Sequence, residues 1–250
     1  MGVGNFYLVL YLKLDKMAKR ITKKLNKSQK SLLLGLLIGD GTITNHPDFK
    51  MDHSIQQLEY LQWKAKLLDT ENIKHSEIKE YIQKVGYNKG GKVIRLRVST
   101  NSTVKAIRRS IYKPNKTITR KWLNWFTERE IAIWYLDDGC INVNTSKQRS
   151  SIQHTIRIAT CTDRETTEII IKYFMDKWNI KFRMFPEGTN TFSIASSSER
   201  DCLNFVNIVK PYIQQVPSML YKIRDNFTKE EFIAYQKTDN FRSARHIIGD

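Results

Sequence analysis

The sequence predicts an α+β fold built of two tandem αββαββα units, pseudo-symmetric, with one helix of each unit packed at their interface. Three observations carry this. The apolar pattern runs twice through the same order of helices and strands. In each pass the first helix is almost wholly apolar and stops at Asp-Gly, in "LLGLLIGDG" (33–41) and "IAIWYLDDG" (131–139). The strand segments alternate apolar with charged residues, which suits antiparallel sheets with one face covered and one free.

Taken in order, Ser28–Asp40 reads as a helix that starts at a Ser N-cap and stops at Gly41. Alternating segments follow near Phe49–Ile55, then a helix at Leu58–Leu68 and strands near Ile78–Val85 and Lys92–Ser99. A helix over Ser102–Ile111 closes the pass ahead of Pro114. The second pass opens near Thr127, with Glu128 and Glu130 placed to complement a helix N-terminus, and runs to Asp138. Strands near Ile141–Val143 and Gln153–Thr160, a helix over Arg164–Trp178, strands at Ile180–Phe185 and Thr191–Ala195, and a helix over Glu199–Val209 ending before Pro211 complete it. The division this implies is a basic extension (1–27), a first half (28–115), a linker (116–127), a second half (128–235) and a tail (236–250).

Charge narrows the partner. With 42 Lys+Arg against 25 Asp+Glu the chain carries a formal +17, which points to a polyanion. The excess is local: Tyr81–Lys121 holds twelve basic and no acidic residues. A second cluster, from Lys13 to Lys30, reads as a solubilising tract or a backbone contact. No apolar run reaches transmembrane length, so no membrane is expected. Three separated cysteines without a CxxC pair argue against a disulfide framework or zinc ribbon and fit a reducing compartment.

In "KVIRLRVS" Arg95 and Arg97 share a face opposite Ile94, Leu96 and Val98. In "IKFRMF" Lys181 and Arg183 oppose Ile180, Phe182 and Met184, and in "HTIRIAT" Arg157 opposes Ile156 and Ile158. With Lys50 on the preceding strand, these six residues are the candidate nucleic-acid contacts, because arginine forks match guanine edges and phosphates. His53 and His154 each fall in a strand pattern and read as structural or DNA-facing. Trp122, Trp125 and Trp134 read as core.

An Asp at a helix C-terminus faces the negative end of the dipole and is disfavoured there, yet both passes place one at the same point. Gly35 and Gly39 stand four apart, so a second helix can approach that face closely and bring Asp40 and Asp138 together. Two such carboxylates repel unless a divalent cation sits between them, and oxygen ligands of this kind suit Mg²⁺. Under a basic sheet that arrangement suits phosphodiester hydrolysis.

The two motifs resemble those of the single-chain LAGLIDADG homing endonucleases, over a stretch from about Ser28 to Phe232. In the second motif Ile133 and Asp137 stand where small residues are usual. The resemblance implies two saddle-shaped antiparallel sheets straddling double-stranded DNA, and a monomer acting at a long asymmetric site. It also implies metal binding by Asp40 and Asp138 with help from the carbonyls of Gly39 and Asp137, Mn²⁺ substituting for Mg²⁺. Lys116 in "NKTI" and Lys222 in "MLYKI" are nominated as the basic residue of each half. An RNA-binding intron maturase and a non-cleaving DNA-binding regulator stay open on the same scaffold. The Met-Gly start and the "HIIGD" end argue against an intein.

Overall fold

The computed structural model describes residues 25–44, 48–83, 89–99, 102–111, 118–145 and 152–223. Two four-stranded antiparallel sheets each carry helices on one face. In the first half α1 (Lys27–Ile38) leads into β1 (Gly41–Ile43) and β2 (Phe49–Ser54). Next come a 3-10 turn (Ile55–Gln57), α2 (Leu58–Thr70), β3 (Lys79–Ile82), β4 (Lys92–Val98) and α3 (Ser102–Ile111). A short helix α4 (Arg120–Leu123) precedes the second half. That half consists of α5 (Glu128–Asp138), β5 (Gly139–Thr145), β6 (Ile152–Thr162), α6 (Arg164–Trp178), β7 (Arg183–Gly188), β8 (Thr191–Ser196) and α7 (Glu199–Ile213), then a 3-10 segment (Pro217–Ile223). The sheet orders are β1-β2-β4-β3 and β5-β6-β8-β7, so the duplicated topology expected from the pattern is present.

The core follows from the alternation. Phe49 pairs with Val98 and Met51 with Leu96 on the covered face, against the α2 stripe Tyr60, Leu61 and Leu68. Ile158 pairs with Ile194 in the other sheet, under Phe174 and Phe205. Trp134 is buried, and Trp122 and Trp125 pack against the core. Between the sheets α1 packs on α5. A methyl at Gly35 would lie 2.7 Å from Glu130 Cγ, and one at Gly39 only 2.1 Å from Asp137 Oδ2, so both glycines are there for close approach. Glu130 itself is buried, its carboxylate closing a capping box on Thr127 and pairing with Arg129 Nε at 2.7 Å.

Several boundaries differ from the expectation. The cap of α1 is Asn26, which closes a capping box with Gln29, while Ser28 hydroxyl instead donates to Glu71. The helix also ends earlier, with Gly39 as its cap, and Gly41 opens β1. The strand expected from Ile180 starts only at Arg183. Asn179 leaves α6 in the left-handed conformation (φ 53°), and Ile180 N–H turns back to Phe174 O at 3.3 Å. Lys181 is therefore exposed but off the strand. Pro211 does not end α7, which runs through it to Ile213, with Gln214 N–H closing on Lys210 O at 2.9 Å. Among the described residues no helix is long and apolar enough to cross a membrane.

Candidate active site and nucleic-acid interface

The paired helices α1 and α5 bring their C-terminal ends together. Asp40 follows the end of α1 and keeps 38% of its side chain open to solvent. The carboxylate facing it belongs to Asp137, whose Oδ2 accepts the Asp40 N–H at 3.1 Å. Asp137 is wholly enclosed. Its side chain crosses from the second half into the first, where Lys64 Nζ lies 2.6 Å and Tyr60 OH 2.7 Å from Oδ1. Lys64 is also wholly buried, over the Tyr60 ring (4.4 Å) and 3.0 Å from His53 Nε2. His53 Nδ1 lies 3.2 Å from Gln57 Oε1 and 3.7 Å from Asp40 Oδ2.

These neighbours divide the charges. Burial pushes Asp137 up, but the Lys64 charge outweighs it and holds the carboxyl below its usual range. Burial, with the Lys64 charge, drops His53 to about 4, so the imidazole is neutral. For Asp40 the balance runs the other way: burial and then the Asp137 charge raise it to about 7, against the weaker pull of Lys64 and Lys222. Asp40, His53 and Asp137 form a group whose ligand atoms lie within 4.8 Å of one another. Because Lys64 already compensates Asp137, the carboxylate that gains most from a cation is Asp40. Its hard oxygen donors beside the carbonyl-rich ends of two helices fit Mg²⁺ or Mn²⁺.

Asp138, at the last turn of α5, is half-buried and stands outside that three-residue group. Lys222 reaches the same helix end from the other side. Its Nζ donates to Gly139 O at 2.8 Å and lies 3.4 Å from Asp137 O, while Tyr135 OH donates to Lys222 O at 2.6 Å. Burial pushes the Lys222 ammonium down, against the pull of Asp137 and other acidic groups. The expectation that the Asp137 carbonyl and Gly39 assist a metal thus meets a structure in which Asp137 offers an enclosed carboxylate and a carbonyl next to Lys222. Lys116 lies outside the described residues.

Sequence reasoning missed Lys64 and Tyr60, and read His53 as structural or DNA-facing without placing it beside Asp40. The signal was present: Lys64 sits on the buried stripe of α2, and His53 continues the core-facing Phe49, Met51 alternation of β2.

The arginine faces exist in both sheets. Lys50 pairs across the ladder with Arg97, and Asp52 with Arg95. Lys50 Nζ is 3.6 Å from Asp52, and Arg97 Nε is 3.4 Å from Asp48. In the second sheet one row runs Cys140, Arg157, Ala195, Arg183. Arg183 donates to Ser197 Oγ at 2.8 Å. Both faces adjoin the helix ends, since β1 and β5 start directly after Asp40 and Asp138.

Comparison with known proteins agrees. The sequence profile of the LAGLIDADG DNA endonuclease family matches residues 30–201. Probable intron-encoded endonuclease 1 of Wickerhamomyces canadensis is 27% identical over 224 residues, covering 86% of this chain and 91% of that protein. A Protein RecA of Mycolicibacterium flavescens is 28% identical over 225 residues, covering 85% of this chain and 50% of that protein. The chain thus spans about half the length of that curated relative. The structure of the homing endonuclease I-WcaI bound to its DNA recognition sequence shares the fold, with a TM-score of 0.67 at 23% identity over 86% of this chain and 94% of the other. With the family profile covering most of both repeated units, the chain belongs to the LAGLIDADG DNA endonuclease family.

Proposed function

We propose that this chain is a site-specific endonuclease that cuts both strands of double-stranded DNA, acting as a monomer with a divalent metal ion, Mg²⁺ or Mn²⁺. The observation that carries the reading is the junction of α1 and α5. There Asp40, a carboxylate raised by burial and by Asp137 against the pull of Lys64 and Lys222, stands where the arginine-bearing sheets of both halves begin. One chain supplies both units, so the two faces differ residue by residue, which suits an asymmetric target.

Asp40 and Asp138 are the residues assigned to hold the metal, one at the C-terminal end of the motif helix of each half. A divalent cation held there supplies charge stabilisation to the phosphodiester under attack. Lys222 satisfies the carbonyls at the end of α5 and places positive charge beside Asp138. The Lys64–Asp137 pair fixes the floor beneath Asp40. Lys50, Arg95, Arg97, Arg157 and Arg183 are assigned to the DNA, with Lys181 beside the second sheet as a backbone contact.

The test is cleavage of a duplex made by joining the sequences that flank this reading frame, with Mg²⁺, Mn²⁺ or Ca²⁺. A double-strand cut with Mg²⁺ that Asp40→Asn and Asp138→Asn each abolish is expected, with DNA binding retained in Ca²⁺. Cutting that survives either substitution removes that aspartate from the site. Tight binding without cutting under any metal overturns the nuclease assignment.

A further inference from the structure

Arg95 is not a free arginine. Its Nε donates to Asp52 Oδ1 at 2.5 Å and its Nη2 to Oδ2 at 2.8 Å, a bidentate pair across the β2–β4 ladder. The Tyr81 ring from β3 lies under the guanidinium at 4.6 Å. Arg95 and Asp52 side chains remain 17% and 31% exposed, on the face turned away from α2. Burial alone would raise Asp52, but Arg95 wins and holds it ionised.

A guanidinium has two forked edges. Asp52 occupies the one made by Nε and Nη2, which leaves the end-on Nη1/Nη2 edge turned away from it. Lys50 Nζ stands 3.6 Å from Asp52 Oδ2, beyond hydrogen-bond distance, so each Asp52 oxygen keeps a second lone pair, that of Oδ2 beside a second cation. The pair therefore offers two donors and an adjacent acceptor on one rigid plane. A G·C pair presents the complement in the major groove: guanine N7 and O6 accept, and cytosine N4 donates. An A·T pair does not, since adenine N6 would point a donor at the guanidinium.

We propose that Asp52 and Arg95, held flat on Tyr81, act as one unit that reads a G·C base pair: Arg95 takes guanine and Asp52 takes the cytosine amino group. The assignment rests on the DNA-binding reading above.

The second sheet carries a similar trio. Arg157 pairs with Glu187 and lies 4.2 Å over the Phe185 ring, and Ser193 hydroxyl donates to the same Glu187 oxygen. Arg157 takes the register place of Lys50, not of Arg95, because Thr42 faces Lys50 as Cys140 faces Arg157. Arginine, carboxylate and aromatic thus meet on both faces from different register positions, which simple inheritance from a duplicated half does not produce. The recurrence favours a reader over a neutral surface ion pair, which would contribute little to stability.

The experiment selects bound duplexes from a random pool in Ca²⁺, using the full chain as wild type, Arg95→Ala, Arg95→Lys and Asp52→Ala. Wild type is expected to enrich a site with an invariant G·C at one position. All three variants are expected to lose roughly tenfold or more of the discrimination at that position and to leave the others unchanged. Arg95→Lys, which keeps the charge on the face of β4 turned away from the core, separates readout from folding and from phosphate attraction. Uniformly weaker binding with the G·C preference intact makes Arg95 a phosphate contact and overturns the proposal. A preference that survives Asp52→Ala overturns the two-residue unit. A wild-type protein that enriches no site at all fails the DNA-recognition reading itself, a result distinct from both.

Discussion

Replacing Lys64 with Met tests the buried charge pair directly. Its ammonium and the Asp137 carboxylate are 2.6 Å apart and neither is exposed. At an effective dielectric of about 20 their attraction is roughly 6 kcal/mol, most of it offset by the desolvation of both ions. Lys64→Met leaves Asp137 enclosed with the Tyr60 hydroxyl and the Asp40 amide as its hydrogen-bond donors. The expected cost is about 3–5 kcal/mol, the range for stranding one partner of a buried pair. Asp137→Asn strands Lys64 instead and is expected to cost about as much. The double variant loses both charges and is expected to recover to within about 1–2 kcal/mol of wild type. Urea denaturation of the metal-free protein at neutral pH measures this as a shift in midpoint at constant m. Single-variant costs that add to within about 0.5 kcal/mol would refute the reasoning, because contacting charges must couple.

Three further outcomes follow from the same site. Asp40 titrates near 7 folded against 3.8 as a free side chain, so between those values it binds more protons in the folded state and its contribution to the stability of the metal-free protein falls as pH rises. The full shift would be about 4 kcal/mol, reduced to about 1–2 kcal/mol by solvent at a side chain 38% exposed. His53, lowered to about 4, adds stability as pH rises towards 6.5 in both proteins, so the readout is the difference. Urea midpoints from pH 5 to 8 in EDTA should move against wild type relative to Asp40→Asn, and equal slopes would count against the assignment. Gly35→Ala drives a methyl to 2.7 Å from Glu130 Cγ and is expected to cost about 1–3 kcal/mol by overpacking, read as a lowered Tm, with Gly35→Ser no better. Lys222→Met uncaps Gly139 O and is expected to lower the cleavage rate at least tenfold while DNA affinity changes by less than about threefold. An affinity loss as large as the rate loss would make Lys222 a binding residue.

How much of this was legible in the sequence depended on where the partner of each residue lies. The order of elements, α3, α6 and the start of α5 could be read from apolar period and capping residues, because those signals are local. Gly35 and Gly39 announced a close helix contact, since only an approaching neighbour explains two glycines on one face. What lines that contact was not readable. Asp137 looked like a variant beside Asp138, but its side chain meets Lys64, 73 residues away in sequence. Lys64 and His53 were visible only as polar intrusions on apolar faces, which gives burial without naming the counter-charge. The left-handed turn at Asn179 moved Lys181 off the sheet, a consequence of one backbone angle that alternation cannot encode.

The two halves are tied at both ends of the α1–α5 pair. At the far end from Asp40, Arg129 of the second half grips Glu71 at 2.6 Å and the Ser28 carbonyl at 3.3 Å in the first. At the near end Asp137 is locked to Lys64. Such cross-ties make the halves poor interchangeable parts. A chimera joining either half to one from a relative keeps these ties only where the incoming half carries the matching ion, so charge restricts partner choice among recombined halves along with shape. At these two ties the repeated units depend on each other's charges.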